Sequence, residues 1–145
     1  MMIFIIVLSV IVLDQSTKFL ALNLLQLNTP VPLIKNFLNL TLVHNRGAAF
    51  GFFQNQLFLF VLVSIFAIGL ILYNLKNKTN SLILKISLSL ILGGAIGNLI
   101  DRLRFGFVVD FLDLRVWPVF NIADSVITIA AIILSWELLF NKNAA

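Results

Sequence analysis

Four long apolar stretches constrain the fold of this chain more than any other feature of its sequence. They lie near residues 1–25, 57–75, 82–100 and 120–140. A helix needs about 20 residues to cross the roughly 30 Å hydrocarbon core of a bilayer, and each stretch is long enough. Of the 145 residues, 61% are hydrophobic and only 11% are charged, too few to coat a water-soluble domain. The sequence therefore predicts an all-α integral membrane protein with four transmembrane helices in a single domain, residues 1–145.

The polar links between these stretches indicate the orientation of the chain. The link between the second and third stretches is short, lacks acids and contains Lys76 and Lys78. Positive charge is typical of cytoplasmic loops. We therefore expect both termini in the cytoplasm and the two longer connections, residues 26–56 and 101–119, outside. The first stretch lacks the basic leader of a cleaved signal peptide, so we expect it to remain as a helix.

Both outer connections contain short segments with the periodicity of strands. Residues 38–42 and 112–116 alternate apolar and polar side chains, which is typical of half-buried strands. Pro30 and Pro32 punctuate the approach to the first of these segments. The sequence thus predicts a small extracytoplasmic β region and loop beside the helices.

The composition excludes several kinds of chemistry. The chain has no cysteine, and His44 is its only histidine, so a disulfide framework, a thiol nucleophile and a zinc centre are not expected. A Ser-His triad would have to be built on His44 alone. The net charge of +4 comes from ten Lys and Arg spread singly along the chain, which favours anionic lipid headgroups over nucleic acid as partners.

The first helix carries two charges within its apolar stretch. Asp14 and Lys18 are four residues apart, so they lie on one helical face and can neutralise each other. With the N-terminus inside, Asp14 lies about 20 Å along the helix, in the outer half of the bilayer. The simplest interpretation is a structural ion pair that docks this helix onto its neighbours.

The outer end of the third helix combines close packing with polar side chains. Gly93 and Gly97 are four residues apart and can let another helix approach closely. Asn98, Asp101 and Arg102 follow at spacings that place them on one face. Helix termination and an interfacial salt bridge would explain them without any catalytic role, and we expect Asp101 and Arg102 to hold each other.

Two further aspartates flank the start of the fourth helix. Asn121 is a good N-cap, and Asp124 three residues later resembles a capping box. Asp110 interrupts the apolar run of residues 107–111, which is unusual for a charge in a solvated loop. Ionisable groups at membrane depth are costly and by default indicate function.

The carboxylates are expected to converge at one membrane interface. Two carboxyl groups in a low-dielectric site tend to share one proton, which supplies an acid and a base at neutral pH. This is the chemistry of aspartic proteases. The residues expected to meet there are Asp14, Lys18, Asn98, Asp101, Arg102, Asp110, Asn121 and Asp124.

Five blocks of the sequence resemble the bacterial lipoprotein signal peptidases (signal peptidase II), in the order found in that family. Together they extend over most of the chain, on a similar frame of four spans. The blocks are residues 14–18 (DQSTK), 45–51 (NRGAAFG), 93–102 (GGAIGNLIDR), 108–111 (VVDF) and 120–125 (FNIADS).

The resemblance implies an aspartyl endopeptidase that removes the signal peptide from prolipoproteins carrying a diacylglyceryl cysteine. The two catalytic aspartates of the family map onto Asp110 and Asp124. The resemblance implies no metal and no organic cofactor. The supporting residues of the family map onto Asp14, Asn45, Asn98, Asp101, Arg102 and Asn121, and Lys18, Arg46 and Gly47 fall inside the same blocks.

The same resemblance implies a location and an inhibitor. Family members work in the bacterial plasma (inner) membrane, with the active site near the outer face. The cyclic peptide globomycin inhibits the family and is expected to block this protein. Residues 48–50, flanked by glycines, could hold the lipid-modified substrate or cover the site as a mobile flap.

Three other functions remain open from the residues alone. A proton-coupled transporter with four spans would also carry a membrane carboxylate, although it needs that charge near the midplane with access from both sides. A serine peptidase could use Ser125 or Ser16 with Lys18, but neither serine lies in a Gly-x-Ser-x-Gly elbow. The third is a purely structural membrane protein.

Overall fold

Four long helices form the body of the protein. The computed structural model describes residues 1–47, 56–76 and 81–140. Each helix is long and apolar enough to cross a membrane, which confirms the predicted four-helix membrane fold. The helices are α1 (Met2–Leu24), α2 (Leu57–Leu75), α3 (Leu82–Phe105) and α4 (Ile122–Phe140).

Helix α3 is the centre of the bundle, because α1, α2 and α4 all pack against it. It continues five residues beyond the end of its apolar stretch near residue 100, and finishes at Phe105. Arg102 and Arg104 lie in its last turn, where cations interact favourably with the helix dipole. Gly106 then ends the helix in the left-handed conformation, at φ 76°, which glycine adopts at little cost.

Close contact between α1 and α3 depends on two glycines. A Cβ atom at Gly93 would lie 2.7 Å from Cβ of Val10, and one at Gly97 would lie 2.5 Å from Oδ2 of Asp14. A methyl group at Gly93 would require α1 to move, and one at Gly97 would displace the Asp14 carboxylate. The predicted use of these glycines for close helix packing is confirmed.

A three-stranded antiparallel sheet lies at the end of the bundle where α3 ends and α4 begins. Its strands are β1 (Val31–Ile34), β2 (Leu38–Asn45) and β3 (Val108–Asp113), in the order β1-β2-β3. A small apolar core joins this sheet to α1, formed by Ala21, Leu42, Val109 and Phe111. The predicted small β region is confirmed, and β2 contains the predicted segment 38–42.

The prediction of a strand over residues 112–116 was wrong in its position. Strand β3 ends at Asp113, and Arg115 has a φ of 67°, which extended backbone does not adopt. The first four residues of β3 are all buried, so both of its faces are covered and no polar alternation reveals it. Strand β1 was not predicted, because Pro32 was interpreted as a loop signal. Proline is tolerated here because β1 is an edge strand of the sheet.

Candidate active site

Asp110 is positioned by the pairing of β3 with β2. In β3 it lies opposite Val43 of β2, and only 1% of its surface is exposed. Two amides hold its carboxylate: Nδ2 of Asn45 donates to Oδ2 over 2.8 Å, and Nδ2 of Asn121 donates to Oδ1 over 2.7 Å. A carboxylate fixed at both oxygens has a defined direction, as a catalytic group requires.

Asp124 lies in the first turn of α4 and is fixed by the cap of that helix. Its backbone N–H donates to Oδ1 of Asn121 over 2.9 Å, which confirms Asn121 as the N-cap. The Asp124 carboxylate accepts a hydrogen bond from Nδ2 of Asn98 over 2.8 Å. Its side chain is therefore directed by α3.

Asn121 connects the two aspartates through one buried side chain. Its Oδ1 caps α4 at Asp124, while its Nδ2 faces Asp110 and, at 3.1 Å, Oδ1 of Asn98. Asn98 in turn donates to Asp124. The two amides therefore link the carboxylates of β3 and α4 in one network.

Beneath these amides lies a buried ion cluster centred on Lys18. Its ammonium group lies 3.0 Å from Oδ2 of Asp14, 2.9 Å from Oδ2 of Asp101 and 2.9 Å from Oδ1 of Asn98. Only 2% of the lysine is exposed. Each of the three N–H donors of the ammonium group therefore has an acceptor oxygen. The predicted Asp14–Lys18 pair is confirmed, with Asp101 as a second partner.

The acids of this cluster also hold the backbone on either side of the site. Oδ1 of Asp14 accepts from the N–H of Ala123 in α4 over 3.0 Å, and Oδ2 of Asp101 accepts from the N–H of Val109 in β3 over 3.0 Å. Ala123 and Val109 directly precede Asp124 and Asp110 in the chain. The ion cluster thus positions the segments that carry both aspartates.

The predicted contact between Asp101 and Arg102 was wrong, because Asp101 faces Lys18 instead. The Arg102 guanidinium lies over the ring of Phe60 in α2, 5.2 Å from its centroid, in a cation–π arrangement. Adjacent helical residues point about 100° apart, so the two side chains take different neighbours. Arg102 lines the cavity described next.

A cavity of about 260 Å³ brings the two aspartates to one accessible space. Gly47 also lines it, and its N–H donates to Oδ1 of Asn45 over 3.0 Å. Arg46 is exposed and is not part of the lining as far as the described residues show it. The proposed flap, residues 48–50, lies outside the described residues. The lining includes Asn45, Asn98, Arg102, Asp110, Phe120, Asp124 and Thr128.

The environment of Asp110 favours its protonated form. Burial raises the pKa of its carboxyl group to about 7, and the negative charge of Asp124 acts in the same direction. Hydrogen bonds from Asn45 and Asn121 oppose this rise in pKa. Asp110 can therefore hold or release a proton near neutral pH, as general acid–base catalysis needs.

Gln15 is a member of the site that the sequence did not single out. Its Nε2 lies 3.0 Å from Oδ1 of Asp101, 3.2 Å from the Gly97 carbonyl and 3.2 Å from Oδ2 of Asp14. It therefore ties α1 to α3 beside the ion cluster. Its position next to Asp14 was the only available signal.

The geometry disfavours two of the other functions. The ammonium of Lys18 already faces three acceptors, and the Ser125 hydroxyl donates to the Asn121 carbonyl over 2.9 Å, so these residues do not form a serine–lysine pair. Within the described ranges, no group of three His, Cys, Asp or Glu could hold a metal ion. Asp101 lies near the end of α3 and Asp124 in the first turn of α4, whereas a transporter would carry its carboxylate near the middle of a span.

Comparisons with known proteins point to one family. The family model described as signal peptidase (SPase) II matches residues 6–140. A lipoprotein signal peptidase of Halothermothrix orenii is 46% identical over 134 residues, 92% of each chain. One of Moorella thermoacetica is 50% identical, covering 90% of this chain and 87% of the relative. A bacterial membrane enzyme solved by the in meso method at 2.3 Å superimposes with a TM-score of 0.91 and 33% identity, covering 97% of this chain and 91% of that one.

Proposed function

Because the chain belongs to the signal peptidase II family, we propose that it cleaves the signal peptide from prolipoproteins carrying a diacylglyceryl cysteine, with Asp110 and Asp124 as catalytic residues. The observation that carries this assignment is the placement of both carboxylates on one cavity, linked through Asn121 and Asn98. Within the described residues, neither Asp110 nor Asp124 forms an ion pair, whereas Asp14 and Asp101 both pair with Lys18.

In the proposed reaction, the two carboxyl groups share one proton. The ionised carboxylate takes a proton from water as the water oxygen attacks the scissile carbonyl, and the protonated carboxyl donates a hydrogen bond to the developing oxyanion. When the tetrahedral intermediate collapses, the C–N bond breaks and the leaving nitrogen takes a proton from the dyad. Asn98 and Asn121 hold the carboxylates in place, and we assign to Arg102, which lines the same cavity, the binding of the substrate backbone.

The experiment that tests this function uses the purified protein and a prolipoprotein made with or without the diacylglyceryl group. We expect cleavage of the modified form alone, immediately before the modified cysteine. Chelators and serine- or thiol-directed reagents should leave the rate unchanged, and globomycin should inhibit. Loss of activity in EDTA with recovery on adding zinc would contradict the two-aspartate mechanism.

The pKa of Asp110 predicts the pH dependence of cleavage. Because that pKa is about 7, kcat/KM should fall above about pH 7 as the dyad loses its shared proton. Asn45→Val removes a hydrogen bond that lowers this pKa, so the alkaline limb should move to higher pH. A pH–rate profile measures the shift, and Asn23→Val, at an exposed position of α1, is the control. If the alkaline limb of the pH–rate profile is unchanged in Asn45→Val, the pKa of Asp110 does not determine that limb.

The proposed placement in the plasma membrane puts both termini in the cytoplasm and the sheet with its cavity at the outer face, among membrane lipids. The native chain has no cysteine, so single cysteines report cleanly. In intact cells, a membrane-impermeant maleimide should label Asn36→Cys in the β1–β2 turn. Lys76→Cys, at the end of α2, should label only after the membrane is opened. The reverse pattern would place the aspartates on the cytoplasmic side and exclude the proposed placement.

A further inference from the structure

A second cavity lies on the sheet, apart from the two aspartates. Its volume is about 510 Å³, and it opens between the β1–β2 turn and the loop that follows β3. It shares no lining residue with the cavity of Asp110 and Asp124 among the residues that the structure describes. Polar side chains line much of it, among them Lys35, Asn36, Asn39, Asp113 and Arg115.

Two cations and one acid line this cavity among the described residues, so its charge is positive on balance. Asp113 lines the same cavity, but its Oδ2 accepts from the Thr41 hydroxyl over 2.8 Å and its Oδ1 accepts from the N–H of Arg115 over 2.8 Å. In the part of the chain that the structure describes, Lys35 and Arg115 form no ion pair. Two such cations beside two side-chain amides favour an anionic ligand with several oxygen atoms.

The backbone at Arg115 forms a constrained turn at the edge of the cavity. Arg115 has a φ of 67°, a conformation that residues with a Cβ seldom adopt. The hydrogen bond from its N–H to Asp113 accompanies that conformation. Asn36 across the cavity also has a positive φ, 62°, which asparagine tolerates well. Both rims of the cavity are therefore tight turns.

Each cation is flanked along the chain by exposed apolar side chains. Lys35 follows Ile34 and lies two residues before Phe37, which is 60% exposed, and Arg115 precedes Val116, which is 92% exposed. All four residues of β1 are exposed, so neither face of this edge strand is covered by the described protein. Cations beside exposed apolar and aromatic residues are typical of a membrane interface, where the apolar groups meet the acyl boundary and the cations meet headgroups.

We propose that this cavity binds the phosphate group of an anionic phospholipid from the leaflet that surrounds the sheet. The Arg115 guanidinium can hold two phosphate oxygens, and Lys35 adds a second positive charge. The exposed side chains of Phe37 and Val116 enter the upper acyl region. Because Arg115 follows the end of β3 by two residues, a bound lipid anchors the end of the strand that carries Asp110, a proposed catalytic residue.

The inference rests on the proposed membrane placement but not on cleavage, so its test measures lipid binding. The full-length protein in detergent is titrated with phosphatidylglycerol, and bound lipid is counted by native mass spectrometry. Phosphatidylcholine and inorganic phosphate are titrated in parallel. Lys35→Gln/Arg115→Gln should bind phosphatidylglycerol about 30-fold more weakly than the unaltered protein, since each cation near a membrane surface contributes about 1 kcal/mol.

The matched control is Lys76→Gln/Arg104→Gln, which removes the same charge from two other exposed positions. It should bind phosphatidylglycerol within about twofold of the unaltered protein. Equal weakening in both double variants would overturn the proposal, because binding would then follow net charge. Competition by millimolar inorganic phosphate, or equal affinity for phosphatidylcholine, would overturn it as well. If Lys35→Gln/Arg115→Gln has a lower melting temperature than the unaltered protein, Lys35→Gln alone should still weaken phosphatidylglycerol binding several-fold.

Discussion

Asp110→Asn and Asp124→Asn should each lower kcat/KM for a lipid-modified prolipoprotein by on the order of 10⁴-fold or more. An amide has nearly the shape of a carboxyl group but cannot cycle a proton. In Asp124→Asn, the new amide oxygen could still accept from Asn98, and the backbone N–H could still be capped by Asn121. The folded structure should persist in both variants, with an unchanged melting temperature in detergent for Asp124→Asn. A lower melting temperature is expected for Asp110→Asn, because its amide keeps only one of the two oxygens that accept from Asn45 and Asn121.

The matched control is Glu137→Gln, an acid-to-amide change in the same helix as Asp124. Glu137 is buried near the other end of α4 and accepts a hydrogen bond from the Ser81 hydroxyl over 2.8 Å. Glutamine keeps an acceptor there, so cleavage should stay near the native rate. If Asp124→Asn remained active, Asp124 would be only part of the helix cap, since asparagine serves that role equally well.

Lys18→Met should destabilise the fold by about 3–5 kcal/mol, because it leaves Asp14 and Asp101 buried together without their cation. Methionine fills much of the same space, so the loss comes from charge rather than from a cavity. Unfolding in increasing SDS, followed by circular dichroism, measures the difference. Lys76→Met, which removes an exposed lysine at the end of α2, should change stability by less than about 0.5 kcal/mol.

A compensating variant distinguishes charge from packing at Lys18. Asp14→Asn and Asp101→Asn added to Lys18→Met remove both uncompensated charges and keep oxygen acceptors for the N–H groups of Ala123 and Val109. Stability should return at least halfway to that of the unaltered protein. If the triple variant is no more stable than Lys18→Met, packing around the lysine stem is the main contribution.

The sequence predicted the elements that depend on local pattern. Apolar length alone located the four helices, and the spacing of four residues between Asp14 and Lys18 correctly predicted their ion pair. Asn121 was identified as a cap because its residue type and position before α4 suffice. Each of these signals lies within one continuous segment of the chain.

The contacts that were missed or mispredicted join distant parts of the chain. Asp101 pairs with Lys18 rather than with Arg102, and Arg102 lies over Phe60, because helix packing rather than spacing selects those partners. Strand β3 was misplaced because it is buried on both faces and lacks alternation. The catalytic roles of Asp110 and Asp124 stay a prediction, and the variants above test them.

The shared use of Lys18 also bears on how the chain assembles during synthesis. Asp14 and Lys18 lie one turn apart on α1, so their two charges can cancel within that helix alone. Helix α3 brings Asp101 with its cationic partner on another helix, which costs free energy until the two helices meet. Because α1 is synthesised before α3, Lys18 is already present when Asp101 needs a cationic partner. The order of the helices in the gene thus matches the order in which their charges can be neutralised.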